Sequence, residues 1–294
     1  MLTYILHKIA YGFLTLFGVV TVIFLLFSVL PGDPARMMLD QREDSAQLQA
    51  IKHKYGFDKP LVLQYVYYLN DLSPVSAHSA NVSDYTYLNP QKYSYKKLFR
   101  VADFDFVIKY PYLRTSFQKN GQKVSSIIAN TLPNTAVLAV AAISIAISLG
   151  IILGIISALT KDTFFDRSIA VLSTLGMSVP SFFSAILFAW LFGFVLHKYT
   201  NLQMTGSLYE VDDFGRGQFI QWKNLILPAI VLGIRPLAVV SQLTRSALLE
   251  ELSKDYILTA KAKGLSNYNI VKRHALKNAL NPVITAISGW FASL

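Results

Sequence analysis

Long runs without a charged residue dominate the pattern of this chain. They cover residues 9–32, 124–160 and 168–197. A membrane-spanning helix needs about 20 mostly apolar residues, so each run is long enough to cross a bilayer. A fourth apolar segment, residues 222–249, carries Arg235 near its middle. The pattern predicts an all-α polytopic membrane protein.

A fifth uncharged run begins at Asn281 and reaches Leu294, the last residue of the sequence. Roughly twelve apolar residues rising about 1.5 Å each cannot cross a hydrocarbon core of about 30 Å. We therefore expect the sequence to stop inside a membrane helix, or to need a partner that completes it.

The charged segments between the runs predict the domain organisation and the orientation. Residues 1–32 form the N-terminal transmembrane helix, residues 33–132 an extracytoplasmic segment, and residues 133–294 a membrane core with a cytoplasmic loop at 245–281. Residues 245–277 hold seven Lys or Arg against three Asp or Glu. Because short cytoplasmic loops are rich in Lys and Arg, this loop is placed inside and the N-terminus in the cytoplasm. Residues 71–120 are polar and aromatic, without a periodicity that predicts an element.

Composition narrows the function classes. Only 15% of residues are charged, against about 25% in soluble domains, which argues against an ordinary soluble enzyme. The absence of cysteine excludes disulfides, thiolate metal sites and cysteine nucleophiles. Five scattered histidines indicate no metal site, and no catalytic constellation is found. The net charge of +10 is explained by basic loops rather than by a nucleic-acid partner.

Small residues recur every four positions in the second run. Residues four apart lie on one face of a helix, so they form a ridge that allows close helix approach. The ridge packs either inside this chain or against a second membrane subunit. Its members are Ala142, Ala146, Gly150, Gly154 and Ala158.

Two residues are candidates for a translocation path. Arg235 at membrane depth costs about 2.5–3.5 kcal/mol on insertion scales, so its position needs an explanation. Either it snorkels or binds a carbonyl left free by Pro236, or it faces a water-filled path and meets anionic groups. Pro180 predicts a kink in the third run, which is either mere shape or lines a cavity.

Residues 253–282 predict two short cytoplasmic helices. The first covers residues 254–263, with Ser253 as its N-cap, and Gly264 follows where a left-handed residue is wanted. Ser266 or Asn267 then caps the second helix, which contains three basic residues.

The faces of the first helix suggest a contact with a partner. Tyr256, Ala260 and Lys263 lie on one face, because they are spaced at i, i+4 and i+7. Ala260 allows close approach and Tyr256 supplies an aromatic anchor. Pro282 is predicted in the first turn of the next membrane helix.

This loop resembles the EAA-type coupling loop of permease subunits of binding-protein-dependent ABC importers. The resemblance rests on Leu258-Thr259-Ala260 and Gly264, with Leu258 where the general pattern has Glu. Further segments are similar to the dipeptide/oligopeptide/nickel branch of that family. They are residues 31–34, 55–60, 227–233, 244–246, 255–265 and 274–279.

The resemblance implies a type I importer permease fold with six helices, of which the last part of the fifth and the sixth are absent from this sequence. It implies half of a translocation path for di- or oligopeptides, in a bacterial inner membrane. The implied partners are membrane lipid, a second homologous permease, two cytoplasmic ATPases that bind ATP and Mg, and an extracytoplasmic solute-binding protein. Tyr256, Thr259, Ala260, Lys263 and Gly264 would contact an ATPase, and residues 71–120 would be an insertion.

Alternatives remain open. Nickel or glutathione are other solutes of the same machinery. A secondary transporter driven by an ion gradient would need ionisable groups at the membrane centre, and Arg235 is the only group expected there. The chain has no GxxxxGK[ST] phosphate loop, so it is not expected to hydrolyse ATP itself.

Overall fold

The structure, a computed structural model, describes residues 1–29, 34–37, 45–82, 84–119, 121–211 and 217–294. The chain forms two compact units, Met1–Asn130 and Thr131–Leu294, which meet within one long helix. The sequence Pro-Gly-Asp-Pro at residues 31–34 predicts a sharp turn out of the membrane, and residues 31–33 of it lie outside the described residues.

The N-terminal unit begins with four helices: α1 (Leu2–Val29), α2 (Pro34–Met37), α3 (Ser45–Tyr55) and α4 (Leu61–Leu72). Helix α4 begins directly after Pro60, whose fixed φ suits a helix start. Phe24 of α1 packs against Tyr65 and Tyr68 of α4, with ring centroids 5.0 and 5.5 Å apart. These tyrosines therefore contribute to the packing of the unit.

Three antiparallel strands follow in the order β1-β3-β2, namely β1 (Val75–Ser79), β2 (Tyr95–Val101) and β3 (Phe104–Lys109). The helical class is confirmed for most of the chain, but "all-α" was too narrow here. In β3 the buried positions alternate, yet two of them are Asp105 and Lys109. Charged residues at inward positions hide the alternation of hydrophobicity from which a strand is predicted.

The C-terminal unit is helical apart from a short hairpin. Its elements are α5 (Val124–Leu159, which crosses the unit boundary), α6 (Phe164–Ser178), α7 (Ser181–Phe188) with a π-helical continuation (Ala189–Val195), and α8 (His197–Thr200). The hairpin β4 (Tyr209–Val211) and β5 (Gln218–Ile220) precedes α9 (Lys223–Leu252). The last elements are α10 (Asp255–Ala262), α11 (Asn267–Ile270), a π-helical segment (Val271–Ala275) and α12 (Leu276–Ser293).

Three described helices are long and apolar enough to cross a membrane: α1, α5 and α9. Helix α6 and the segment Ser181–Val195 form a fourth span if they are counted together, although they are bent by 108°. The predicted kink at Pro180 is thus a complete break. Val179 is extended (ψ 131°), as expected for a residue before proline, and this ends α6.

The small-residue ridge of α5 packs against α9. A Cβ added to Gly150 would lie 2.8 Å from Cγ1 of Val240, and one added to Gly154 would lie 2.5 Å from Cβ of Thr244. Only glycine permits this approach. The ridge therefore packs within the chain, and the alternative contact with a second subunit is wrong for this face.

Candidate translocation path and coupling loop

The two predicted path residues lie side by side. The Nη2 of Arg235 donates to the carbonyl oxygen of Val179, 3.4 Å away and directly before Pro180. Arg235 does contact a carbonyl, but the acceptor belongs to the helix break and is not the predicted carbonyl freed by Pro236. Arg235 is exposed in this chain. Whether it faces a water-filled path stays a prediction.

The break itself is closely packed against α9. A Cβ added to Gly176 would meet Cγ2 of Ile234 at 3.0 Å, so α6 and α9 approach closely next to Arg235. On the other side of the break, the backbone N–H groups of Phe183 and Ser184 donate to the Pro180 carbonyl. The arrangement places one cation beside interrupted backbone, which suits binding of polar groups at membrane depth.

A largely buried ion pair joins the first turn of α6 to α9. The carboxylate of Asp166 accepts from Nε and Nη2 of Arg245 at 2.6 and 2.7 Å, and from the Ser157 hydroxyl at 2.5 Å. The backbone N–H of Asp162 donates to the same carboxylate at 2.9 Å. Sequence reasoning missed this cluster. In the sequence, Arg245 stands out only as a member of the segment 244–246. Asp166 lies 79 positions before it, so no sequence spacing connects the two residues.

The caps of the loop helices agree only in part with the prediction. Helix α10 has Lys254 as its N-cap residue, while the hydroxyl of Ser253, the predicted cap, donates back to the Glu250 carbonyl. Gly264 has φ +79°, the predicted left-handed conformation. Ser266 caps α11 by accepting from the N–H of Asn269, which confirms the first of the two proposed caps.

Ala260 points into the chain's own core. Ala260 is 6% exposed and Ile257 is fully buried. Both belong to a hydrophobic core that lies between the ends of several helices. The expectation that Ala260 provides close approach for a partner is therefore corrected: its small size serves internal packing. The other buried members of this core, called the helix-end core below, are Ala158, Leu248, Ile270, Ala275 and Ala279.

Tyr256 is also engaged internally. Its hydroxyl donates to Glu251 at 2.5 Å and accepts from the side-chain amide of Asn278 at 3.3 Å. Burial and the Glu251 contact raise the pKa of Tyr256. Tyr256 is nevertheless 37% exposed, and Thr259 and Lys263 are exposed as well.

The exposed apolar side chains of the loop were not singled out from the sequence. Leu258, Leu265 and Tyr268 are 59%, 38% and 68% exposed. Like Tyr256, these three side chains lie outside the buried members of the helix-end core. Pro282 lies inside α12, because the π-helical segment before Leu276 runs directly into that helix.

No group of three His, Asp or Glu residues within the described ranges is placed to hold a metal ion. The candidate site thus consists of a cation beside a broken helix, a largely buried ion pair, and a loop anchored in helix ends. Together with the long apolar helices, these features define a helical, multi-pass membrane protein of the transport type.

Comparison with known families gives a more specific assignment. Residues 150–293 match the family described as binding-protein-dependent transport system inner membrane component, and residues 1–103 match the N-terminal domain of such membrane components. The chain belongs to this family. The N-terminal match extends into residues 71–120, whose status as an insertion stays a prediction.

Individual relatives are similar over nearly the whole chain. The dipeptide transport system permease protein DppB of Lactococcus lactis subsp. cremoris is 34% identical over 294 residues, covering 100% of this chain and 79% of the relative. The di/tripeptide transport system permease protein DppB of Pseudomonas aeruginosa is 32% identical over 97% of this chain and 78% of its own length. A putative peptide permease protein of Brucella suis is 31% identical, over 98% and 78% respectively.

Proposed function

We propose that this chain is the permease subunit of an ATP-driven importer of di- or oligopeptides. Similarity over nearly the full chain to proteins named as dipeptide, di/tripeptide and peptide permeases is the observation that carries the proposal. In this arrangement the N-terminus lies in the cytoplasm and the strands of the N-terminal unit lie outside. The basic loop between α9 and α12 then faces the cytoplasm, as its charge favours.

The complete transporter would contain a second homologous permease, two ATPase subunits that bind ATP and Mg, and an extracytoplasmic solute-binding protein. This chain contributes half of the path, and hydrolysis belongs to its partners. ATP closes the ATPase pair, and the loop transmits that movement to the membrane helices as a rigid-body change.

The helix-end core supports transmission through the loop. Because Ile257 and Ala260 share one packed core with residues of α5, α9 and α12, a displacement of α10 displaces those helix ends as well. The contact face for the ATPase is formed by Leu258, Leu265 and Tyr268, which are exposed on the same loop. Gly264 sets the turn between the two parts of this face.

Arg235 supplies positive charge on the path. Its described partner is a neutral carbonyl at 3.4 Å, so its charge is not neutralised by that contact. A guanidinium in this position suits the carboxylate of a peptide, which accepts charge-assisted hydrogen bonds.

Reconstitution tests the proposal. Vesicles containing this chain, its partner permease and the ATPases should accumulate a labelled dipeptide only when binding protein and ATP are both present. Uptake driven by a proton or sodium gradient without ATP would favour a secondary transporter. Uptake of Ni²⁺ or glutathione, with no competition by dipeptide, would assign the other solutes of the branch.

A further inference from the structure

A cavity of about 910 Å³ lies entirely within the N-terminal unit. Helix α4, the connection between β1 and β2, and the segment after β3 form its walls. This volume is within the range of about 300–1,000 Å³ that is typical of small-molecule sites. Its aromatic lining consists of Tyr55, Tyr67, Tyr85, Tyr87, Phe104 and Tyr112.

The charge of the described lining is strongly positive. Lys54, Lys59, Lys92 and Arg114 line the cavity, and the acidic residue among the described lining residues is Asp84. That carboxylate already accepts a hydrogen bond from the Ser79 hydroxyl at 2.5 Å. The cavity therefore favours an anionic group.

Two of these cations share a single buried carboxylate. Nε of Arg114 lies 2.9 Å from Asp71, and Nζ of Lys92 lies 3.8 Å from it. Lys109 donates to the backbone carbonyl of Asp71, and the Tyr93 hydroxyl donates to its side chain. The carboxylate thus serves two cations and a hydroxyl, while a third cation, Lys109, donates to the backbone carbonyls of Asp71 and Ser73, which leaves positive charge unbalanced next to the cavity.

The position of Lys92 is fixed by aromatic rings. Its Nζ lies 5.3, 4.7 and 4.9 Å from the ring centroids of Tyr85, Tyr93 and Tyr112. Such cation–π contacts hold an ammonium group in place without neutralising it. The buried Oγ1 of Thr115, which also lines the cavity, has no hydrogen-bond partner among the described residues. A ligand oxygen would satisfy it.

We propose that this cavity is a binding site for a small carboxylate bearing an aromatic or apolar body, held by Lys92, Arg114 and Thr115 between the tyrosine rings. The cations bind the carboxylate and the rings pack against the body. The lining belongs to the N-terminal unit, and the proposal does not depend on transport.

A pair of dipeptides tests it on the unmodified protein. Ala-Phe and its C-terminal amide differ in the carboxylate alone. Calorimetric titration of the full chain in detergent should show Ala-Phe binding at least about tenfold more tightly than the amide, and more weakly as salt is raised. Equal affinities, or no binding by either compound, would overturn the proposal.

Variants localise the binding. Lys92→Met should weaken Ala-Phe binding about tenfold or more, while Lys92→Arg should retain most of it. Lys96→Met, the same substitution at an exposed lysine of β2, should have no effect. Thr115→Val removes the unpartnered hydroxyl with little change of shape and should weaken binding severalfold, so the test does not rest on one variant folding.

The competing occupant is an acidic segment of a binding protein. If Ala-Phe does not bind, and Lys92→Met instead reduces retention of the binding protein on the immobilised chain, the cavity is a protein contact and the proposal fails.

Discussion

The hydrogen bond that Arg235 makes within the described residues is to a neutral carbonyl, so its charge can be tested by itself. Arg235→Met keeps the length of the side chain and removes the charge. We expect peptide uptake to fall about tenfold or more, since a charge-assisted hydrogen bond contributes about 1.5–3 kcal/mol. Uptake into vesicles measures the effect, with Arg235→Lys as the variant that retains the charge. Unchanged uptake with a lowered melting temperature would assign Arg235 a packing role instead.

The Asp166–Arg245 ion pair is expected to contribute to the free energy of unfolding. Asp166→Asn leaves the Arg245 guanidinium facing a neutral amide, so we expect a loss of about 1–3 kcal/mol in the free energy of unfolding. Thermal unfolding in detergent measures it. Asp162→Asn is the matched control, because Asp162 is exposed and its φ of 65° is tolerated by Asn. Equal melting temperatures for both variants would show that the pair contributes nothing.

At the scale of elements, the close approach of α5 to α9 depends on glycines, which have no side chain. In Gly154→Ala the new Cβ would lie 2.5 Å from Cβ of Thr244 and 2.6 Å from the Ser241 carbonyl oxygen, so the helices must separate. We expect a loss of about 1–3 kcal/mol, measured by thermal unfolding. Gly18→Ala, at a glycine of α1 with open space around it, should be neutral or slightly stabilising. A neutral Gly154→Ala would contradict the described contact.

The turn between α10 and α11 tests coupling. At Gly264, φ is +79° and nothing lies within 4 Å of an added Cβ, so a substitution there is strained by backbone conformation alone. Gly264→Val should cost about 1 kcal/mol or more locally and uncouple ATP hydrolysis from uptake. Gly264→Asn tolerates the left-handed conformation and should remain coupled. Parallel assays of phosphate release and uptake compare the two, and equal coupling would remove the loop from the mechanism.

Sequence patterns predicted the long apolar helices, because apolar composition alone determines them. They failed at positions whose environment depends on packing between distant parts of the chain. Two uncharged runs predicted α1 and α5, and the apolar segment around Arg235 predicted α9, because apolar length determines a span. The same reasoning missed β3, whose buried positions include Asp105 and Lys109. It also assigned Ala260 to the wrong face, since i, i+4 spacing groups residues on one side but does not say which side meets the core.

At the scale of the whole molecule, the N-terminal unit contains a buried histidine, a side chain that titrates near neutral pH. His78 of β1 is fully buried. Its Nδ1 donates to the Thr86 carbonyl at 3.1 Å, and its Nε2 accepts from the Ser76 hydroxyl at 3.0 Å, which is the neutral tautomer. Burial, reinforced by Lys109 and Lys92 against the opposing effect of Asp71, lowers the pKa of His78 below its usual 6.5.

The lowered pKa of His78 determines the direction in which the stability of the N-terminal unit changes with pH. The stability of the unit is complete above the unfolded pKa of about 6.5 and is lost as the pH falls through the folded pKa, by at most about 1.4 kcal/mol per pH unit. Amide hydrogen exchange of residues 75–109 should therefore speed up below pH 6.5, after correction for intrinsic rates. His78→Gln should remove this dependence, and His7→Gln, at an exposed position of α1, should retain it. The same slope in all three proteins would assign it to other groups.

The helix-end core also determines which part of this protein is exchangeable between transporters. A loop grafted from a relative would bring its own counterparts of Ile257 and Ala260 against the native Ala158, Leu248 and Ala279. Interiors are packed too closely for such surfaces to fit by chance, and a mismatch leaves either a void or a clash. The smallest part that can be exchanged between transporters is therefore discontinuous in sequence. It consists of the loop together with the ends of α5 and α9 and the start of α12.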